Sequence, residues 1–270
     1  MAISLEEAID ALSLNTFRVP DEVERIISSI KCVQLIPNLI LWEGQTIYRA
    51  RIINDMSEIV DSKSLSYVPS ALNNTYKRAS TPKNTMFYGV SSENNKSSIY
   101  GCYAETCGCF RKPVQEPTLY NIVISQWQTT RDLKLIEIID PCGNNKSEAF
   151  INYNEYNELA NLLSGQKQTD LTSLMKFLNH EFTKIVDDND DRGYWVSAIM
   201  SERLLKTHSS DGIIYESVQT RNTIENDIQC VAILPSIVDE HMVFKKAELH
   251  KIEIKNYNKD ISILSSFQIL

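Results

Sequence analysis

The chain has 270 residues, 43% of them hydrophobic and 23% charged, enough for a sizeable core in one large domain or a domain plus an extension. A formal net charge of -8 and a pI of about 5.1 argue against a general nucleic-acid or anionic-membrane surface but leave room for a local basic pocket. Acidic Glu6, Glu7 and Asp10 stand where a secretory leader would be basic, and no apolar run reaches membrane-spanning length, so a cytoplasmic location is expected.

Ser4 followed by Glu7 is a capping-box signature and predicts a short first helix. Pro20 and Asp21 open a second, with Val23, Ile26, Ile27 and Ile30 on one face. Residues 1–44 read as an N-terminal helical extension to a larger domain of residues 45–270, and that apolar face needs the domain as its partner surface. Residues 46–53, "TIYRARII", alternate as a strand does, with Ile47, Arg49, Arg51 and Ile53 on one face. Two arginines on one face of an apolar strand fit either a solvated edge or an anion clamp. The polar stretch 54–82 reads mostly as loop, 86–90 as a short strand, 91–98 as a polar insertion and 99–110 as a helix.

Two strands follow at 119–127 and 133–139, then a helix at 154–163 stopped by Gly165. Asp170 is expected to cap an amphipathic helix carrying Leu171, Leu174, Met175, Leu178, Phe182 and Ile185. The acidic run 187–193 is a loop, 194–206 another helix, and 212–218, 228–234 and 242–254 are strands. Strands surrounding a helical middle predict an α+β fold with a mixed β core and flanking helices.

Familiar motifs fail. Counting from Asp187 as the first calcium ligand puts Arg192 at the glycine position and Ala198 at the bidentate acid. His180-Glu181 lacks the second histidine, since position 184 is lysine. No glycine-rich phosphate loop and no G-x-S-x-G elbow occurs. Among the six cysteines, Cys102, Cys107 and Cys109 cluster without paired spacing or nearby histidines, so buried reduced thiols are expected and no metal site.

Three separated segments remain: "YRAR" at 48–51; "RASTPKNTMFYG" at 78–89, followed by "YAETCGCF" at 103–110; and "DGIIYESVQTRNT" at 211–223. In order and spacing they resemble the RES domain family over residues 45–254. That family is named for an Arg, a Glu and a Ser. Arg78 stands ten residues before Tyr88 with Pro82 between them, as in the family, and Asp211 to Tyr215 matches fully with Ser217 at the family serine. Thr81-Pro82 replaces the usual Asn-Pro, Lys83 or Asn84 the usual glycine, and Glu216 the usual proline. The interval from Tyr88 to Glu105 exceeds the family spacing, which leaves Glu93 as a competitor for the acidic position.

The resemblance implies an ADP-ribosyltransferase-like fold and an NAD-consuming toxin, held silent by an Xre-type antitoxin. It implies cleavage of NAD by hydrolysis or phosphorolysis, with NAD as substrate and no metal. Protein ADP-ribosylation and a non-catalytic binding module stand as alternatives, and a homodimer is left open. Carried over by position, Arg49 and Arg78 clamp the pyrophosphate, Tyr88 holds the nicotinamide, Glu105 stabilises an oxocarbenium-like ribose, and Ser217 positions Glu105 or touches that ribose. Arg51 is expected in a salt bridge or behind the site.

Overall fold

A computed structural model of the chain describes residues 3–14, 16–30, 36–91, 94–110, 116–142, 153–187, 190–220, 228–255 and 260–270. Among these residues lie nine strands: β1 (Asn38–Leu41), β2 (Thr46–Ile52), β3 (Phe87–Ser91), β4 (Thr118–Thr129), β5 (Leu133–Ile138), β6 (Gly212–Glu216), β7 (Gln229–Ile233), β8 (Met242–Lys255) and β9 (Asp260–Gln268). Seven helices accompany them: α1 (Leu5–Ser13), α2 (Pro20–Ser29), α3 (Asn95–Thr106), α4 (Tyr153–Asn161), α5 (Gln166–Thr183), α6 (Trp195–His208) and α7 (Pro235–His241). The fold is α+β with a mixed sheet in the order β1-β5-β6-β7-β3-β2-β4-β8-β9. The β5–β6 pair is parallel and the other pairs are antiparallel.

This sheet is not flat. β4 and β5 stand five places apart in the strand order, about 24 Å at the usual strand spacing. The chain from Thr129 to Leu133 spans at most about 14 Å. The sheet must therefore fold back on itself, and alternation along the strands shows how. Ile47, Phe87, Trp127, Leu133, Leu135, Ile214, Val231 and Ile233 point inward and form one cluster between two arms. Their neighbours point outward: Ile136, Ile138, Ile213, Tyr215, Cys230 and Ala232 meet α1, α2, α5 and α6, while Tyr48, Val90, Ile122, Ile124 and Ile252 meet α3.

The first helix carries both halves of its capping box: the Glu7 amide donates to Ser4 Oγ at 3.2 Å and the Ser4 amide to Glu7 Oε2 at 2.8 Å. Val23 and Ile27 of α2 are buried in the same cluster as α5 and α6, and Arg203 donates to the Ile27 and Ile30 carbonyls. Residues 36–44 also supply β1, an edge strand that the polar-interrupted sequence did not announce.

Several expectations need correction. The polar stretch before α3 is shorter than expected, because Asn95–Ser98 is already helical, with Ser97 and Ser98 buried against the sheet by virtue of their size. Asp170 does not cap α5. Gly165 occupies that place, and Asp170 accepts from Gln166 Nε2 inside the helix at 2.8 Å. Ile185 lies beyond the helix end and is 77% exposed. The short α7 and the edge strand β9 had no counterpart in the sequence reading.

Candidate active-site cleft

β2 and β3 are hydrogen-bonded neighbours at a single position, Tyr48 opposite Val90, whereas all of β2 pairs with β4 and all of β3 with β7. Beyond that point the two strands part. Gly89 permits the close approach at the seam, since a Cβ there would lie 2.4 Å from Ile47 Cγ2 and 3.1 Å from the Tyr48 carbonyl. Over this seam, on the helix-covered face, opens a cleft of about 470 Å³. Arg49, Arg78, Tyr88 and Glu105 all line it.

Arg49 reaches into the gap and replaces a missing ladder bond: its Nη1 donates to the Tyr88 carbonyl at 2.6 Å, with the guanidinium 5.2 Å from the Phe87 ring centre. Burial lowers its pKa to about 10, so it stays cationic at neutral pH. Arg51 has the same parity but turns away, donating to the Ser64 carbonyl at 2.9 Å and pairing with Glu58 at 3.2 Å. One strand thus carries one cleft arginine and one surface arginine.

Arg78 bridges two elements. Its Nη1 and Nη2 donate to the Glu181 and Lys184 carbonyls at the end of α5, both at 3.2 Å, and its guanidinium lies 5.3 Å from the Tyr194 ring centre. Donors remain for a ligand, because a guanidinium carries five. Tyr88 fixes the Arg78 segment from below: its hydroxyl accepts from the Ala79 amide at 3.0 Å and pairs with Ser80 Oγ at 2.8 Å. Burial raises this phenol to about 12, so it is neutral. The turn that follows contains Lys83 at a φ of 69°, in the left-handed region that favours glycine.

Glu105 comes from the last turn of α3. Asn94 caps that helix by accepting from the Lys96 amide at 2.9 Å. Gly101, one turn before Glu105, lets the helix settle on the sheet: a Cβ there would be 2.6 Å from Ile228 Cγ2 and 2.8 Å from Val90 Cγ1. The carboxylate of Glu105 then meets Ser217, whose hydroxyl donates to Oε1 at 2.5 Å. Ser217 is fully buried just past β6, its own amide bonded to the Ile228 carbonyl. Glu93, the competing acid, lies outside the described residues.

The Asp-Gly start of the third segment is structural. Asp211 accepts two bonds from Arg131 at 2.9 Å and one from the Lys134 amide at 2.8 Å. Gly212 is required because a Cβ would lie 2.4 Å from the Ala232 carbonyl oxygen. Together they anchor β6, which carries Ser217 to Glu105, although Ser217 itself does not line the cleft.

The remaining lining includes Tyr76, Tyr194, Asp187, Asp191, Cys102, Tyr215 and Cys230. Sequence reasoning singled out none of these for a role here; only Tyr215 sat in a recognised motif. Burial raises the Cys102 and Tyr215 side chains, and burial together with the Glu105 charge raises Cys230, so all three are neutral. The cleft can therefore bind an anionic group at its guanidinium groups while presenting a fixed carboxylate to another part of the same ligand. No model of a known protein family matches the chain, and no curated protein matches it in sequence.

Proposed function

We propose that the protein is an enzyme of RES type that cleaves the bond between nicotinamide and ribose in NAD. The observation that carries this reading is the meeting of three distant segments in one cleft, Arg49, Arg78 with Tyr88, and Glu105, with Ser217 buried behind the lining and bonded to Glu105. Lys83 adds support, since its positive φ falls within the Lys83-Asn84 pair where the resemblance expects glycine.

The chemistry suits these residue types. Nicotinamide leaves with the electron pair of the broken bond and becomes neutral, so no acid is needed to protonate it. The ribose carbon passes through an oxocarbenium-like state, which Glu105 stabilises by charge and by accepting from a ribose hydroxyl. Arg49 and Arg78 hold the pyrophosphate, and Tyr88 offers an aromatic edge to the nicotinamide end. Water or phosphate then captures the ribose carbon. A toxin role, held silent by an Xre-type antitoxin partner, is what the same resemblance implies.

The test is release of nicotinamide from NAD by the pure protein, with and without phosphate. Free nicotinamide is expected, and a phosphate-dependent product would identify phosphorolysis. Folded protein that releases none overturns the reading. Transfer to added proteins would move it to ADP-ribosylation.

A further inference from the structure

Arg78 stands at the tip of a two-residue turn. Lys77 and Ser80 pair across it, the Lys77 amide donating to the Ser80 carbonyl at 2.9 Å and the Ser80 amide to the Lys77 carbonyl at 3.1 Å. A second turn follows at once: Thr81 pairs with Asn84 around Pro82 and Lys83, the Asn84 amide donating to the Thr81 carbonyl at 3.0 Å. The side chains of both turns are mostly polar or small, so polar anchors hold them in place. Tyr88 holds the first turn from the sheet, through the Ala79 amide and the Ser80 hydroxyl. The helical layer holds the rest. Asp191, just before α6, accepts from the Tyr76 amide at 2.9 Å, two residues ahead of Arg78. Glu202, within α6, accepts from Thr81 Oγ1 and Asn84 Nδ2 at its Oε2, both at 3.1 Å, while its Oε1 accepts from Lys206 Nζ at 2.9 Å. Asn73 closes the inner side, its Nδ2 donating to the Thr81 carbonyl at 2.8 Å and its own carbonyl accepting from the Lys83 amide at 2.9 Å.

We propose that Glu202 is a positioning residue: it grips the turn that follows Arg78 and so fixes the guanidinium at the cleft before an anionic ligand arrives. Glu202 does not line the cleft and acts through the turn alone. Fixing a loop in its bound form raises affinity, because the cost of ordering it is no longer met at binding. The element that carries Glu202 also begins beside Asp191 and at Tyr194, whose ring lies next to the Arg78 guanidinium. One helix therefore sets both ends of the loop. Where the ligand is NAD, the inference rests on the reading proposed above; the grip itself does not.

Binding of ADP, a nucleoside diphosphate with the same pyrophosphate, tests the grip without any turnover and is read by calorimetry. Glu202→Ala should weaken ADP by about fivefold, and on NAD it should raise KM by about the same factor with kcat little changed. Glu202→Gln keeps an acceptor for Thr81 and Asn84 and should recover most of that affinity. Arg203→Ala serves as the structural control: it removes the bonds from the same helix to the Ile27 and Ile30 carbonyls and should lower Tm while leaving ADP affinity alone. Equal ADP affinity in the native and Glu202→Ala proteins, or no ADP binding by the native protein, would overturn the positioning role. So would equal defects in the alanine and glutamine variants, or an Arg203→Ala defect as large as that of Glu202→Ala. The expected order of ADP affinities in a protein that releases no nicotinamide would uphold the grip and refute the proposed reaction.

Discussion

The two arms of the sheet use their residues differently. In the arm β2-β4-β8-β9, long strands run in extended antiparallel ladders, broken by a register shift at Gln126/Trp127 and another at Lys251/Ile252, and every residue of β4 is paired with β8. In the arm β1-β5-β6-β7-β3, strands are four to six residues long, and β6 and β7 at its centre are buried on both faces. The cleft lies in neither arm but at the seam, where β2 and β3 share one paired position. A ladder engages backbone groups fully and fixes side chains by alternation. A seam leaves backbone groups to be met by side chains such as Arg49, and space for a ligand. Arg49 and Arg51 show the contrast within one strand: the first faces the seam, the second lies against the loop beside Glu58.

That contrast is broken or sharpened most by Glu105. Glu105→Gln keeps size and most hydrogen bonding but removes the charge, and nicotinamide release should fall by about a hundredfold or more while NAD still binds. The same change at Glu93 should be nearly silent. A dead Glu93→Gln beside an active Glu105→Gln would overturn the assignment of Glu105 as the catalytic carboxylate.

Gly212→Ala tests the short-stranded arm. Its Cβ would meet a carbonyl oxygen in the adjoining strand, so a loss of about 3 kcal/mol in unfolding free energy is expected, read by denaturant titration. An unchanged midpoint would mean that β6 and β7 are not so tightly apposed.

Arg49→Ala and Arg78→Ala should both weaken NAD binding, by roughly tenfold or more, because a phosphate clamp acts in ground and transition states alike. They should differ in stability. Arg78 also ties the end of α5 to the Tyr88 segment, so its removal should lower Tm further than removal of Arg49. Equal Tm values would argue that the bridge contributes nothing. Arg51→Ala, at a half-exposed surface pair, should change stability by no more than about 0.5 kcal/mol and leave NAD affinity alone.

Asp211 gives a pH test. Burial pushes its carboxyl up, but the bonds from Arg131 and the Lys134 amide outweigh that, and its pKa in the folded protein is below the ordinary value. A carboxylate held low when folded contributes stability above its unfolded value, about 3.9, and that contribution is lost as pH falls through the folded value. Asp211→Asn should therefore lower Tm at pH 7 and converge on the native protein as pH falls below 3.9. A difference that persists undiminished at low pH would exclude the charge as its source. A small effect of the opposite sign belongs to Lys83→Gly, which relieves a left-handed backbone and should raise stability by up to about 1 kcal/mol.

Much of the local structure was written in the sequence. The capping box of α1, the proline start of α2, the alternation of β2 and the helical spacing of α5 depend on neighbouring residues alone, and the structure follows them. The candidate residues Arg49, Arg78, Tyr88, Glu105 and Ser217 were selected through the resemblance of their segments, in order and spacing, to the RES domain family. What lay beyond reach was set by long-range contact. The edge strands β1 and β9 exist through their partners β5 and β8. The start of α3 looks polar because its small buried residues, Ser97, Ser98 and Gly101, are chosen for closeness to the sheet rather than for hydrophobicity. Only the seam between β2 and β3 decided which of two like arginines faces the cleft, and only the register of β7 brought Cys230 into the lining of the cleft that Glu105 also lines, since no spacing along the chain encodes a meeting across strands.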